Sequence, residues 1–453
     1  MARRKIMFGI GAGVISTAVD GLAGLVNIHF LRHYLPESVS GYWFLALTAG
    51  GFLMLAQSAL TPAVARFTAQ QSGGRGIPIG GLATVRRLTR WLMMLLLVAA
   101  VGAFMVYLRP VARAANLGTG AGASWFAYAL GVVAALDASA RFAMLNGLGE
   151  VGWDKVTRIV ISSLGVLLTW LSLKYGLGLP GLGISFLLQS AVMLGFAEFL
   201  LVGKGEQQPG PATVADGFWR RLMPTLSNTG CVARADTNGR QLVVETAKLL
   251  GLALIGYLVM NSGIFVVERR FGPDVVSKYS PLTRVGMLLA TVASLIPQTV
   301  YPYVARAWAT RSYRSHRRLF LGGVGLSIAG YVIAALVVWL LAPVLMPLWL
   351  GPGGYLGPDL LGLVLLMYGL LVSNVAFSTP VLASVGNAFI APSLLNLILV
   401  LILIWPFSGR WGLNGVPAAM FAGSLLPAIW VGYRSWQLML HHNQNQFVAD
   451  GSR

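Results

Sequence analysis

Residues 360–409 read LLGLVLLMYGLLVSNVAFSTPVLASVGNAFIAPSLLNLILVLILIWPFSG, fifty positions without a charged side chain. At 1.5 Å per residue, one helix of this length would extend about 75 Å, more than twice the ~30 Å hydrocarbon core of a bilayer. The stretch therefore predicts two membrane-spanning helices. Gly386, Asn387 and Pro392 are typical turn residues and mark the connection between the two helices.

The rest of the chain has the same apolar character. Of its 453 residues, 56% are hydrophobic and only 10% are charged, and the mean hydropathy is +0.73. Soluble domains contain about 25% charged residues, so lipid is the expected solvent. We predict an all-α polytopic membrane protein with about twelve transmembrane helices, at 7–31, 41–66, 88–108, 123–147, 156–174, 179–202, 245–267, 279–306, 317–341, 357–385, 390–405 and 411–434.

The positive charges indicate the orientation of these helices. The formal net charge is +19, and Lys and Arg cluster in short segments between apolar runs, which is typical of cytoplasmic loops. This pattern predicts both termini on the cytoplasmic side, and it explains the charge without a nucleic-acid partner. The basic segments are 3–5, 75–90, 155–158, 220–240 and 311–318.

One long connection divides the chain near its middle. It contains GEQQPGP at 205–211, which is typical of a linker, and then FWRRLM at 218–223, which is suited to the membrane surface. The sequence therefore predicts an N-terminal six-helix lobe at 1–203, a cytoplasmic linker with an interfacial amphipathic segment at 204–244, and a C-terminal six-helix lobe at 245–453.

The two halves are related by an internal repeat. Residues 31–42, LRHYLPESVSGY, align with residues 268–279, ERRFGPDVVSKY, at a constant offset of 237. Further along, TPAVAR at 61–66 aligns with YPYVAR at 301–306 at an offset of 240. The repeat unit is six helices, so both copies begin on the same side of the membrane. Such parallel repeats place the substrate site between two lobes related by an axis along the membrane normal.

The hairpin HFLRHYLPESVSGYW at 29–43 and the segment TPAVARF at 61–67 resemble the multidrug/oligosaccharidyl-lipid/polysaccharide (MOP) exporter superfamily, and within it the Wzx-type polysaccharide-biosynthesis branch. The resemblance implies alternating access between two lobes. It also implies a flippase in the bacterial inner membrane that moves a polyprenyl-diphosphate-linked oligosaccharide to the periplasmic leaflet for O-antigen, capsule or exopolysaccharide synthesis. Membrane lipid, a polysaccharide polymerase and a chain-length regulator are the further partners it implies.

Asp20 lies in the middle of the first predicted helix, where an ionised side chain costs about 3 kcal/mol or more unless it faces protein or water. One interpretation is a proton or sodium site that couples transport to an ion gradient. The other is a hydrogen-bonded tie to a neighbouring helix, and Tyr257 is the equivalent residue in the second copy. Small and polar residues share the helix face of Asp20, namely Gly13, Ser16, Thr17, Gly24 and Asn27.

Asp137 and Arg141 lie four residues apart on the fourth predicted helix, the spacing of an intrahelical ion pair. Such a pair neutralises both charges and allows the helix to insert into the membrane. The alternative is that Arg141 binds a phosphate group, because a guanidinium has five N–H donors and one carboxylate occupies two of them.

Four arginines recur at equivalent places in the two copies. Arg66 and Arg306 end their helices at the predicted cytoplasmic face, where topology alone accounts for cations. Arg32 and Arg269 end their helices at the opposite face, where topology does not account for cations. Guanidinium groups bind phosphates in bidentate fashion, so all four are candidates for the diphosphate of the cargo. Further candidate residues of the pathway are Asn27, Asp137, Asn261, Arg270, Lys278 and Arg284.

The sequence lacks the motifs of common enzymes. It contains no P-loop, no His-Glu-x-x-His and no Gly-x-Ser-x-Gly, so we expect neither an enzyme nor ATP-driven transport. One cysteine and five histidines without metal-ligand spacing predict no metal site and no cofactor. Two other functions stay open: a cation-coupled multidrug exporter of the same fold, and a membrane-embedded glycosyltransferase or polymerase subunit, which the short outer loops disfavour.

Overall fold

The computed structural model describes residues 2–72, 79–148, 151–205, 236–309, 313–385 and 390–450, and some side chains within these ranges, including that of Arg306, lie outside the description. The described part contains helices and no strand. Its twelve long helices are α1 (Ala2–Tyr34), α2 (Glu37–Ser72), α3 (Ile79–Ala103), α4 (Gly120–Gly147), α5 (Val151–Lys174), α6 (Gly178–Gly205), α7 (Asp236–Phe271), α8 (Pro273–Ala309), α9 (Tyr313–Leu350), α10 (Pro358–Val385), α11 (Ile390–Trp411) and α12 (Gly415–Asp450).

Helix α3 extends beyond Ala103, as far as Ala114. It continues through a π-helical turn, Phe104–Leu108, into a short helix, Arg109–Ala114, and we call the whole element α3. The π turn brings Tyr107 against α7, where its hydroxyl donates a hydrogen bond of 2.8 Å to Glu268.

The lengths and hydropathies of the helices suit a bilayer. Ten stretches of the described residues are long and apolar enough to cross a membrane, and the longest, Ile390–Leu438, contains α11 and most of α12. Apolar side chains such as Val98 and Val106 point outward, as expected of a lipid-facing surface. The predicted all-α polytopic architecture is confirmed.

Several helix ends differ from the prediction. Helix α9 ends at Leu350 instead of 341, although it contains Pro343 and Pro347. Its extra turns remain apolar and Leu348 is exposed to the surroundings, and proline is tolerated in membrane helices. Helix α7 begins at Asp236 instead of 245.

Parts of the predicted linker and of one turn lie outside the described residues. These are residues 206–235, which include the amphipathic segment, and residues 386–389 of the predicted turn. Helix α6 ends at Gly205 and α7 begins at Asp236. The predicted bounds of lobes and linker therefore stay a prediction.

The helix contacts repeat after six helices. In the first half, α2 packs on α4, α4 on α6, and α1 on α5. In the second half, α8 packs on α10, α10 on α12, and α7 on α11. This correspondence is the parallel repeat that the sequence predicted, and we call α1–α6 the first lobe and α7–α12 the second. The lobes meet where α2 packs on α7 and α8.

Candidate functional site

Arg284 lies on α8, which packs on α2 at the boundary between the lobes. Its positive charge acts electrostatically on the hydroxyl groups of Tyr128 of α4, Tyr257 of α7 and Tyr368 of α10. Tyr128 and Tyr368 are buried. Arg284 forms no ion pair with an acidic residue in the described part of the chain. The site therefore combines an uncompensated cation with phenolic hydroxyl groups inside the membrane-spanning region.

Two glycines allow the rings of Tyr128 and Tyr368 to pack closely against α2 and α8. A Cβ at Gly50 of α2 would overlap the ring of Tyr128, and a Cβ at Gly286 of α8 would overlap the ring of Tyr368. The two tyrosines are related by the repeat, because they lie 240 residues apart, the offset that also joins 61–66 to 301–306. The sequence analysis missed both, although this offset was a signal that would have found them.

Tyr257, the counterpart of Asp20, connects the two lobes. Its hydroxyl donates a hydrogen bond to the carbonyl oxygen of Thr48 on α2, and its ring meets Phe52 edge to face at 6.3 Å. Asn261, one turn further along α7, donates to the carbonyl oxygen of Tyr257 at 3.0 Å. Asn261 thus bonds within its own helix.

At one end of the lobe boundary, Arg32 is engaged by protein groups. Its guanidinium donates to the Ser277 hydroxyl at 2.9 Å and to the Glu37 carboxylate at 3.1 Å, and only 6% of its side chain is exposed. Lys278 of α8 lies 3.1 Å from the same carboxylate. A Cβ at Gly41 would overlap the carbonyl oxygen of Pro273, so the backbones of α2 and α8 are close here.

The repeat partner of Arg32 has a different environment. Arg269 is exposed and makes no ion pair with a described residue. Arg270 packs over the ring of Trp405 on α11, with its guanidinium carbon 4.9 Å from the ring centroid. This cation–π contact anchors the end of α7 on α11. The predicted outer group of cations therefore does not form one cluster: Arg32 and Lys278 contact Glu37, and Arg270 contacts Trp405.

At the other end of the boundary, Arg66 of α2 lies 3.5 Å from Glu245 of α7. Its side chain is 63% exposed, so this ion pair is weak and easily broken. The side chain of Arg306, its repeat partner, lies outside the described residues.

Arg141 bridges two acids in the first lobe. It donates to Asp137 of its own helix, with the shortest N–O distance 2.8 Å, and it also contacts the carboxylate of Glu198 on α6. The predicted intrahelical pair is present, and the second acid was missed by the sequence analysis. Glu198 lies on another helix, and only the packing of α4 on α6 brings it to Arg141. The three residues together carry a formal charge of −1.

Asp20 is exposed and accepts a hydrogen bond from the Ser162 hydroxyl of α5. The polar face of α1 also contains Asn27, whose Oδ1 is buried without a hydrogen-bond partner in the described part of the chain. Helix α1 packs on α5, so the polar face contacts Ser162 of that helix while Asp20 stays exposed. The described residues contain no group of three His, Cys, Asp or Glu that could hold a metal.

Solved structures with this arrangement of helices define the fold. An inward-facing multidrug resistance MATE family transporter of the MOP superfamily matches with a TM-score of 0.65 and 16% identity, over 94% of this chain and 96% of that one. An outward-facing one matches with a TM-score of 0.62 and 14% identity, over 98% and 97%. The chain has the MATE fold.

A third match with the MATE fold differs in its pocket. It is a MOP superfamily transporter from Pyrococcus furiosus, with a TM-score of 0.65, 16% identity and coverage of 98% of this chain and 97% of that one. The reversed polarity of its binding pocket is reported to suggest a different function for that protein. No protein-family model matches this sequence, and no curated protein matches it at a significant level.

Proposed function

We propose that this multi-pass membrane protein is a flippase for a polyprenyl-diphosphate-linked oligosaccharide. In this proposal it is a transporter and not an enzyme, it lies in the bacterial inner membrane with both termini in the cytoplasm, and it serves O-antigen, capsule or exopolysaccharide synthesis. A polysaccharide polymerase and a chain-length regulator then use its product. The MATE fold supports transport, because two parallel repeats enclose one central pathway.

The observation that carries the proposal is the uncompensated charge of Arg284 between the lobes. An isolated cation inside the membrane costs several kcal/mol, so such residues mark substrate pathways. A diphosphate supplies the missing negative charge, and its oxygens accept bidentate hydrogen bonds from a guanidinium. The hydroxyl groups of Tyr128 and Tyr368, which interact electrostatically with Arg284, add O–H donors.

The other predicted cations divide into two groups in this proposal. Arg66, Arg269 and Arg306 are assigned to the diphosphate at the two ends of the pathway, since each lies in the last two turns of its helix. Arg32 and Arg141 have a positioning role instead, because carboxylates and hydroxyl groups of the protein already bind their guanidinium groups.

Ion coupling is assigned to Asp20. An exposed carboxylate on a membrane helix, with one hydroxyl partner, can bind and release a proton or a cation when the lobes rearrange. Since the sequence contains no ATP-binding motif, an ion gradient is the energy source that this residue would use.

A cation-coupled multidrug exporter is the second candidate function. The exposed acid Asp20 and the names of the solved transporters favour it. Arg284 opposes it, because a cationic site between the lobes repels cationic drugs. The reversed pocket polarity reported for the Pyrococcus furiosus protein is consistent with the MATE fold serving other substrates.

Reconstitution tests the substrate class. The protein is placed in vesicles that contain a fluorescent polyprenyl-diphosphate disaccharide, and dithionite added outside bleaches only outer-leaflet dye. We expect the protein to expose the inner-leaflet pool, while protein-free vesicles retain it. A matched glycolipid without phosphate should not be moved. Export of a cationic dye, with no movement of the diphosphate lipid, would contradict the proposal.

A further inference from the structure

The second lobe contains a cavity of about 180 Å³ between α7, α10, α11 and α12. Its polar side chains are Asn374, Ser393, Asn396 and Ser424, and none of the lining residues carries a charge. The remaining lining is mostly aliphatic and methionine side chains. The cavity is thus chemically different from the Arg284 site, and it lies within the second lobe.

The polar groups of this cavity have unused hydrogen-bonding capacity. Ser424 donates to Oδ1 of Asn396 at 2.9 Å, which leaves the two N–H groups of that amide free to donate to a ligand. Asn374 is half-buried, and no hydrogen bond joins its side chain to another residue in the described ranges. A ligand that hydrogen-bonds to both amides therefore gains contacts that the protein does not already supply.

Helix α12 contains a proline at this cavity. Pro427 lies inside this helix and lines the cavity, and a proline leaves the carbonyl four residues before it, here that of Gly423, without an amide donor.

Two residues that line the cavity are sequence neighbours of tyrosines on which Arg284 acts electrostatically. Met367 lines it and is followed by Tyr368, and Gly256 lines it and is followed by Tyr257. Arg284 interacts electrostatically with both tyrosines. An oligosaccharide extends from its diphosphate, so a ligand held at Arg284 by the diphosphate can direct a sugar toward this cavity.

The lining selects a neutral, hydroxylated group. A cationic drug would find no carboxylate among the lining residues, and a hydrocarbon chain would leave the amides unbonded. Sugar hydroxyls both donate to and accept from amides, and methionines adapt to the C–H faces of different rings. The volume is below the ~300–1,000 Å³ of pockets for drug-sized ligands, which limits the occupant to about one ring.

We propose that this cavity is a saccharide subsite, in which Asn374 and Asn396 hydrogen-bond one uncharged sugar of the cargo. The inference rests on the proposed function, since the diphosphate is held at Arg284. It assigns the second lobe a part in distinguishing glycosylated carrier lipid from the bare carrier. Free carrier diphosphate lacks a group for the cavity and binds more weakly.

Two soluble probes separate the two sites. Farnesyl diphosphate and farnesyl diphosphate bearing one N-acetylhexosamine are titrated against the full chain in detergent, with tryptophan fluorescence as the readout. We expect the sugar-bearing probe to bind about tenfold more tightly, as expected for one or two net hydrogen bonds. In Asn374→Leu and Asn396→Leu this preference should disappear, while the affinity for farnesyl diphosphate stays unchanged and thereby reports intact folding.

Asn414→Leu is the matched control, because Asn414 is exposed in a turn between α11 and α12. It should keep the preference for the sugar-bearing probe. The subsite is refuted if the cavity variants keep that preference, or if they weaken both probes equally. Arg284→Gln should weaken both probes; if it weakens neither, the proposed function fails, whichever result the cavity variants give.

Discussion

The Glu37 carboxylate of α2 lies 3.1 Å from the Lys278 ammonium of α8, and Arg32 of α1 reaches across to Ser277 beside it at 2.9 Å. These residues belong to the two copies of the repeated hairpin, so the repeat units contact each other directly. The copies are not identical at this contact: the equivalent of Lys278 in the first copy is Gly41. The glycine allows the close approach of Pro273, and the lysine supplies the ion pair.

The close approach at Gly41 can be tested by one methyl group. In Gly41→Ala the new Cβ would overlap the Pro273 carbonyl oxygen, so α2 and α8 must separate at this end. We expect a loss of about 1–3 kcal/mol of stability, measured by thermal unfolding in detergent. Gly24→Ala is the control, because nothing lies within 4 Å of a Cβ there. Equal stability of both variants would show that the contact does not hold the lobes together.

Arg141 is expected to stabilise the first lobe. Arg141→Gln leaves Asp137 and Glu198 as neighbouring carboxylates without their cation and should cost about 3 kcal/mol, toward the lower limit for buried pairs because the side chains are partly exposed. Adding Asp137→Asn and Glu198→Gln removes the repulsion and should restore most of the stability and of the transport. If transport stays lost in the stable triple variant, Arg141 acts on the substrate.

Asp20 is expected to couple transport to an ion. Asp20→Asn keeps the size and a hydrogen bond to Ser162 but removes the charge, so transport should lose its dependence on an imposed proton or sodium gradient. Ser163→Ala serves as the control, because Ser163 bonds within its own helix to Ile159 at 3.0 Å. Gradient-dependent transport by Asp20→Asn would make the residue a structural one.

The sequence predicted the architecture because apolar length and an internal repeat are properties of the chain itself. The hairpin at 31–42 and its copy at 268–279 predicted two equivalent lobes, and the helix contacts repeat accordingly. Helix ends were harder to predict, since an apolar segment such as 342–350 can extend a helix or form a loop.

The candidate site was only partly predictable. The sequence predicted Arg284 as a candidate residue of the pathway. Its electrostatic interactions with Tyr128 and Tyr368 depend on how α4 packs on α2 and how α10 packs on α8. Glu198 was missed for a similar reason, since nothing local connects it with Arg141. Residues that act across helices become visible only when the packing is known.

The distribution of positive charge predicts the orientation of the protein in the membrane. Because Lys and Arg concentrate around residues 86–90 and 311–318, reporter fusions after Gly80 and Ser315 should be cytoplasmic. A fusion near Gly353, in the turn between α9 and α10, should be exported. Reversal at two of these three positions would show that the termini lie on the opposite side.

The most direct test of the account is the transport rate of Arg284 variants in vesicles that contain the fluorescent diphosphate glycolipid. Loss of a charge-assisted contact worth about 1.5–3 kcal/mol predicts that Arg284→Gln moves the lipid about 10- to 150-fold more slowly. Arg284→Lys should recover part of the rate, because it restores the charge but not the bidentate geometry. Arg410→Gln, at the exposed end of α11, should transport normally. If Arg284→Gln, folded and inserted normally, moves the lipid at the parental rate, a cationic site between the lobes does not carry the diphosphate.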